Sequence, residues 1–233
     1  MTSDDRALQG RADADKPSTV QVVQRAAIGF VALVAGLCLL GGIGSLLLFD
    51  GAVGDAEADF VSWIANERIS VLDSVATTAS TLSDTWTVIG VLIGAVSMLW
   101  MSGHGRYGAT ILLAVALELA TFLVVGAIIG RTRPDVDALN SVPSTPSFPS
   151  GHAAAAFVLY GSLVLVARIL AAHKVPRWFW VVPIAIGLLV AFARVYEGVH
   201  HPIDVVAGLL LGVGALAAAS IATGIVEPRS NAT

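Results

Sequence analysis

Charge is what this chain has least of. Lys, Arg, Asp and Glu make up 13% of its 233 residues, against roughly 25% in an ordinary soluble domain. Hydrophobic residues make up 56%, and the mean hydropathy is +0.81. This deficit of charge excludes a water-soluble globule and places the chain in a bilayer. A net charge of −4 argues against a nucleic-acid partner, which a basic face would announce. Cysteine is almost missing too. Cys38 stands alone, so no internal disulfide can form, and inside an apolar run it reads as a small packing residue. No internal repeat divides the chain.

What is present is a series of apolar runs, each near the roughly 20 residues a membrane span needs. They cover residues 27–49, 86–102 (extended by a helical pattern from near Val71), 107–130, 153–172, 178–193 and 203–226. The expected fold is all-α, a polytopic six-span transmembrane helical bundle. Small residues recur along every run, as close helix packing in lipid prefers. Residues 1–25 read as a flexible cytoplasmic tail, 26–226 as the six-span membrane domain and 227–233 as a short cytoplasmic tail. The first run is longer than a signal-peptide core and is expected to stay in place.

An even count puts both termini on one side, and the basic residues indicate which. With the termini in the cytoplasm, the inner segments hold Arg6, Arg11, Lys16, Arg25, Arg106, Arg168, Lys174, Arg177 and Arg229. The outer segments hold only Arg68, Arg131, Arg133 and Arg194. The first outer loop is acidic, with Asp50, Asp55, Glu57, Asp59 and Glu67. The sequon Asn231-Ala232-Thr233 would then face the cytoplasm and is read as chance.

Three polar segments fall at the outer ends of the runs: Arg131-Thr132-Arg133-Pro134, Pro149-Ser150-Gly151-His152, and Arg194 with His200 and Asp204. Ser150 precedes an Ala-rich helix start and is a candidate cap. The free N–H groups of Ser150 and Gly151 would favour an anion. Pro202 suits a first helical turn. Asp204, four residues after His200, would share its helix face and orient the imidazole. Arg194 needs an anionic partner at such depth, and arginine forks suit phosphate oxygens. Together the segments point to chemistry on a phosphate group.

These residues resemble the signature of the phosphatidic acid phosphatase type 2 superfamily of membrane lipid phosphatases. That signature reads Lys, six residues, Arg-Pro; Pro-Ser-Gly-His; and Ser-Arg, five residues, His, three residues, Asp. The second element is intact here. The third has Ala193 for its serine, and the first has Gly126 for its lysine. The resemblance implies a metal-independent, cofactor-free phosphatase acting on a lipid phosphate in the bilayer, at its outer face. His200 would be the nucleophile that becomes a phosphohistidine, Asp204 its orienter, and His152 the acid and then the base. Arg133, Arg194, Ser150 and Gly151 would bind the phosphoryl oxygens, and Arg131 is the candidate to replace the lysine. A polyprenyl diphosphate is the favoured substrate, since an outward site can recycle a carrier lipid.

Two rival readings use the same residues. A rhomboid-like intramembrane serine protease would pair Ser150 with His200 or His201. A non-catalytic lipid-phosphate-binding relative would explain Gly126, but would have no need for His152, His200 and Asp204. Glu118 lies 15 residues before Arg133, about 22 Å along a helix, and is expected to bond between spans.

Overall fold

The computed structural model describes residues 17–49, 51–172 and 174–226. Most of the expected amino-terminal tail, the carboxy-terminal tail with its sequon, Asp50 and His173 lie outside the described residues. Among the described residues the chain is helical without strands. The helices are α1 Thr19–Leu47, α2 Ala52–Asn66, α3 Ser70–Thr81, α4 Thr85–Met101, α5 Gly105–Ile129, α6 Gly151–Leu170, α7 Val181–Tyr196 and α8 Pro202–Thr223. A 3₁₀ turn at Arg177–Trp180 leads into α7.

Five of these units are long and apolar enough to cross a membrane: α1, α5, α6, α7 with its 3₁₀ turn, and α8. The pair α3 and α4, bent by 43°, meets the same test when taken as one span. The protein is a multi-pass membrane protein with an all-α bundle.

Local chemistry sets the helix boundaries. α1 starts well before residue 27 because Ser18 and Gln21 form a reciprocal capping box, Gln21 N–H to Ser18 Oγ at 3.3 Å and Ser18 N–H to Gln21 Oε1 at 2.8 Å. α5 stops at Gly130, whose φ of 63° is left-handed and suits a residue without a Cβ. α2 replaces the expected acidic loop. Its buried residues Gly54, Glu57 and Val61 recur at helical spacing, which gives it one inward stripe.

α8 lies at the centre. Its Leu211 packs with Leu37 of α1, Val125 of α5 and Ala154 of α6, and Ala215 and Ala219 continue the seam with Ala114 and Val158. Close approach of α6 and α8 depends on two glycines. A Cβ on Gly208 would collide with the Ser150 carbonyl oxygen, and one on Gly212 would sit 2.7 Å from that of Ala154. Ser150 N–H donates to the Asp204 carbonyl at 2.8 Å, so the two helix starts lie side by side. At the other end of α8, Arg106 donates to the Thr223 and Gly224 carbonyls and Arg25 to that of Ile221.

Candidate active site

The end of the bundle where α6 and α8 begin gathers all three polar segments. His200 is buried in the loop joining α7 to α8. It does not share a helix face with Asp204, as the spacing suggested. Instead α8 begins at Pro202, and Asp204 in its first turn folds back to accept the His201 N–H at 2.9 Å. The contact to His200 is indirect as well. Nδ1 of His200 lies 3.8 Å from Asp204 Oδ2, too far for a hydrogen bond. The Ser147 hydroxyl bridges the gap, donating to Asp204 Oδ2 at 2.6 Å and lying 3.4 Å from Nδ1. Ser147 was not singled out in the sequence, where one serine among several in a Pro- and Ser-rich loop carries no signal.

The relay determines the tautomer. A Ser147 hydroxyl that donates to Asp204 can only accept from His200, so the proton sits on Nδ1 and Nε2 keeps its lone pair. Arg133 Nη1 lies 3.3 Å from that Nε2. Its guanidinium is held by the Val199 carbonyl, by Thr145 through both its carbonyl at 3.0 Å and its hydroxyl at 3.2 Å, and by the Pro146 carbonyl at 3.3 Å. Burial draws Arg133 down to about 10, with the Arg194 charge adding and Asp204 opposing, so it stays cationic at neutral pH. Burial likewise pushes the His200 imidazole down to about 4, against the pull of Asp204 and with the Arg133 charge adding. A neutral ring with a free lone pair beside a fixed cation can attack phosphorus.

Arg194, in the last turn of α7, is buried and bonds Glu197 Oε2 at 2.6 Å. Its Nε has no partner among the described residues. Glu197 is steadied in turn by Asn140 at 3.1 Å and by the Leu139 N–H, which donates to its carbonyl at 2.9 Å. Arg68 ties the same two loops together, donating to the carbonyls of Tyr196 and Asp137 at 3.2 and 2.6 Å. His152, in the first turn of α6, is half-buried with Nε2 3.3 Å from Asp84 Oδ1. Gly151 packs its Cα against the Phe122 ring, which leaves little room for a side chain.

Two expected roles change. Arg131 does not join the phosphate-facing groups. Its Nη1 donates to Asp204 Oδ1 and its Nη2 to Glu57 Oε2, both at 2.7 Å, and its guanidinium stacks 3.8 Å over the Phe49 ring. It stands behind the Asp204 carboxylate, where two buried anions neutralise it. Ser150 starts α6, but its side chain makes no capping bond, and Oγ is buried without a partner among the described residues. No ring nitrogen bonds it, so the histidine–serine pair of a protease is not assembled. Gly126 faces the Phe148 carbonyl, 3.6 Å from where a Cβ would lie. Glu118 is buried within α5, but among the described residues its side chain makes no hydrogen bond to another span.

Known proteins share parts of this sequence and this fold. An undecaprenyl-diphosphatase of Sulfolobus acidocaldarius is 32% identical over 112 residues, 46% of this chain and 50% of that protein. Phosphatidylglycerophosphatase B of Bacillus subtilis is 37% identical over 87 residues, 36% of this chain and 42% of that protein. The chain thus spans half or less of the length of these relatives. The crystal structure of a transmembrane PAP2-type phosphatidylglycerolphosphate phosphatase from Bacillus subtilis shares the fold, with a TM-score of 0.70 at 24% identity over 85% of this chain and 99% of that one. The model of the PAP2 superfamily matches residues 107–224, which run from α5 through α8 and hold His152, His200, Arg131, Arg133 and Arg194, and the chain belongs to that superfamily.

Proposed function

We propose that this protein is a membrane lipid phosphatase that works through a phosphohistidine on His200. The observation that carries the reading is the placement of His200 Nε2, unprotonated by the Ser147–Asp204 relay and 3.3 Å from Arg133. Arg133, Arg194 and the Gly151 N–H hold the phosphoryl oxygens, and gain most as charge builds in the transition state, whereas the Ser150 N–H is taken by the Asp204 carbonyl. Nε2 attacks phosphorus while the bond to the leaving oxygen breaks. His152 gives that oxygen a proton, then takes one from the water that cleaves the P–N bond. Arg131 takes no part in these contacts and supports the Asp204 charge from behind, itself held in place by Glu57.

The relatives named for undecaprenyl diphosphate and phosphatidylglycerophosphate support a lipid phosphate as substrate, with a polyprenyl diphosphate favoured. The acidic α2 region and the motif arginines occupy one end of the bundle and Arg25 and Arg106 the other. By the distribution of basic residues the site end is extracytoplasmic and both termini are cytoplasmic.

The test is phosphate release by purified full-length protein with a chelator present throughout. His200→Ala is expected to lose nearly all turnover, and wild-type protein quenched in mid-reaction to carry an alkali-stable, acid-labile phosphoryl label. Turnover retained by His200→Ala overturns the phosphohistidine route. A panel of lipid phosphates then ranks the substrates.

A further inference from the structure

Asp84 belongs to no recognised motif and lies outside the family-matched segment, in the break between α3 and α4. It is the N-cap residue of α4, where an aspartate ordinarily bonds its own helix. Here it makes no such bond, and Oδ1 lies 3.3 Å from His152 Nε2. The break itself is fastened in place. Tyr160, two turns into α6 from His152, donates its hydroxyl to the Leu82 carbonyl at 2.9 Å, and Ser83 is buried. The bend therefore brings a carboxylate to the second catalytic ring, which the Ser147–Asp204 relay does not serve.

We propose that Asp84 is a positioning residue for His152, so that the site holds two histidine–carboxylate pairs with opposite tasks. This rests on the reading of His152 as acid and base given above. The first pair keeps His200 neutral at Nε2 so that it can attack. The second accepts the Nε2–H of His152, aims the ring and stabilises its protonated form, which leaves Nδ1 to serve the leaving group. Among the described residues no hydrogen bond occupies Nδ1. In the first step the Nδ1 proton passes to the leaving oxygen as the P–O bond breaks and its electron pair goes to that oxygen. His200 Nε2 supplies the pair for the new P–N bond, and Asp84 stays ionised. In the second step Nδ1 takes a proton from water, whose oxygen attacks phosphorus while the P–N pair returns to His200.

The arrangement predicts a dependence on leaving group that a structural role would not produce. An alkoxide leaving a lipid monoester needs a proton, whereas the anion of p-nitrophenol does not. kcat/KM covers steps only up to loss of the leaving group, so it isolates the acid step. On full-length protein in detergent, Asp84→Asn and Asp84→Ala are expected to lower kcat/KM for phosphatidic acid at least tenfold, part of the roughly 10²–10⁴ a positioned acid supplies. The same variants should change kcat/KM for p-nitrophenyl phosphate less than about threefold, Asp84→Glu should restore part of the loss, and Asp84→Asn should add nothing to His152→Ala. Equal losses on both substrates, or none on either, overturn the proposal. An impaired His152→Ala beside an unimpaired Asp84→Asn sinks Asp84 alone, whereas full lipid turnover by His152→Ala sinks the parent reading with it.

Discussion

Asp204 is the most constrained side chain in the site, fully buried and bonded by Arg131, Ser147 and the His201 N–H. Removing one member of a buried ion pair leaves an uncompensated charge and costs about 3–5 kcal/mol. Arg131→Ala is therefore expected to lower the denaturation midpoint in detergent markedly, with activity falling alongside it. An arginine that gripped phosphate would instead raise KM at unchanged stability, so the two measurements together decide its role. His200 supplies a second prediction. Its folded value of about 4 lies below the ordinary 6.5, so between those pH values the unfolded chain binds a proton that the folded protein refuses. The stability this contributes is present above pH 6.5 and lost as pH falls through 4. The melting temperature of the wild type should fall relative to that of His200→Gln across that window. A constant difference would show that the ring titrates normally.

The residues read from the sequence were those whose type is rare in an apolar chain. Arg133, Arg194, His152, His200 and Asp204 stand out against lipid-facing runs, and all five meet at one end of the bundle. Ser147, Glu57, Asp84 and Glu197 did not stand out, because serine and acidic residues are ordinary in loops and only the fold shows which are turned inward. The role expected of Arg131 changed for the same reason. Spacing along the chain gives its nearness to Arg133 but not the carboxylate of α2 that claims it.

At the scale of elements, α6 and α8 decide the geometry, because the first turn of each carries a reacting group or its support. Six apolar runs gave the spans, and their boundaries moved where capping chemistry intervened, as at Ser18 and Pro202. α2 was missed because its polar face dominates its composition, although Gly54, Glu57 and Val61 already marked a stripe. The glycine contact between α6 and α8 predicts an effect far larger than the change in size. Gly208→Val forces side-chain atoms against the Ser150 backbone, and overpacking of this kind costs about 1–3 kcal/mol. Both the melting temperature and kcat should drop, since Ser150, Gly151 and His152 move with the start of α6. A variant with native activity would show that the two helix starts need not touch.

For the whole molecule, the single thiol makes sidedness directly measurable. In a Cys38→Ser background, Ser141→Cys lies in the exposed loop between α5 and α6, and Ser102→Cys is exposed after α4, at the other end of the bent pair. An impermeant maleimide is expected to label the first in intact cells and the second only after permeabilisation. The reverse pattern would put the site in the cytoplasm. The chain of contacts from Glu57 through Arg131 to Asp204 bears on modularity. The segment that defines the superfamily starts at residue 107, yet part of the counter-charge for one of its arginines comes from α2, 74 residues upstream of it. A chimera joining this catalytic half to the leading helices of a relative inherits an interface whose charges must match. Exchange of parts between relatives should thus succeed only where a carboxylate travels with its arginine.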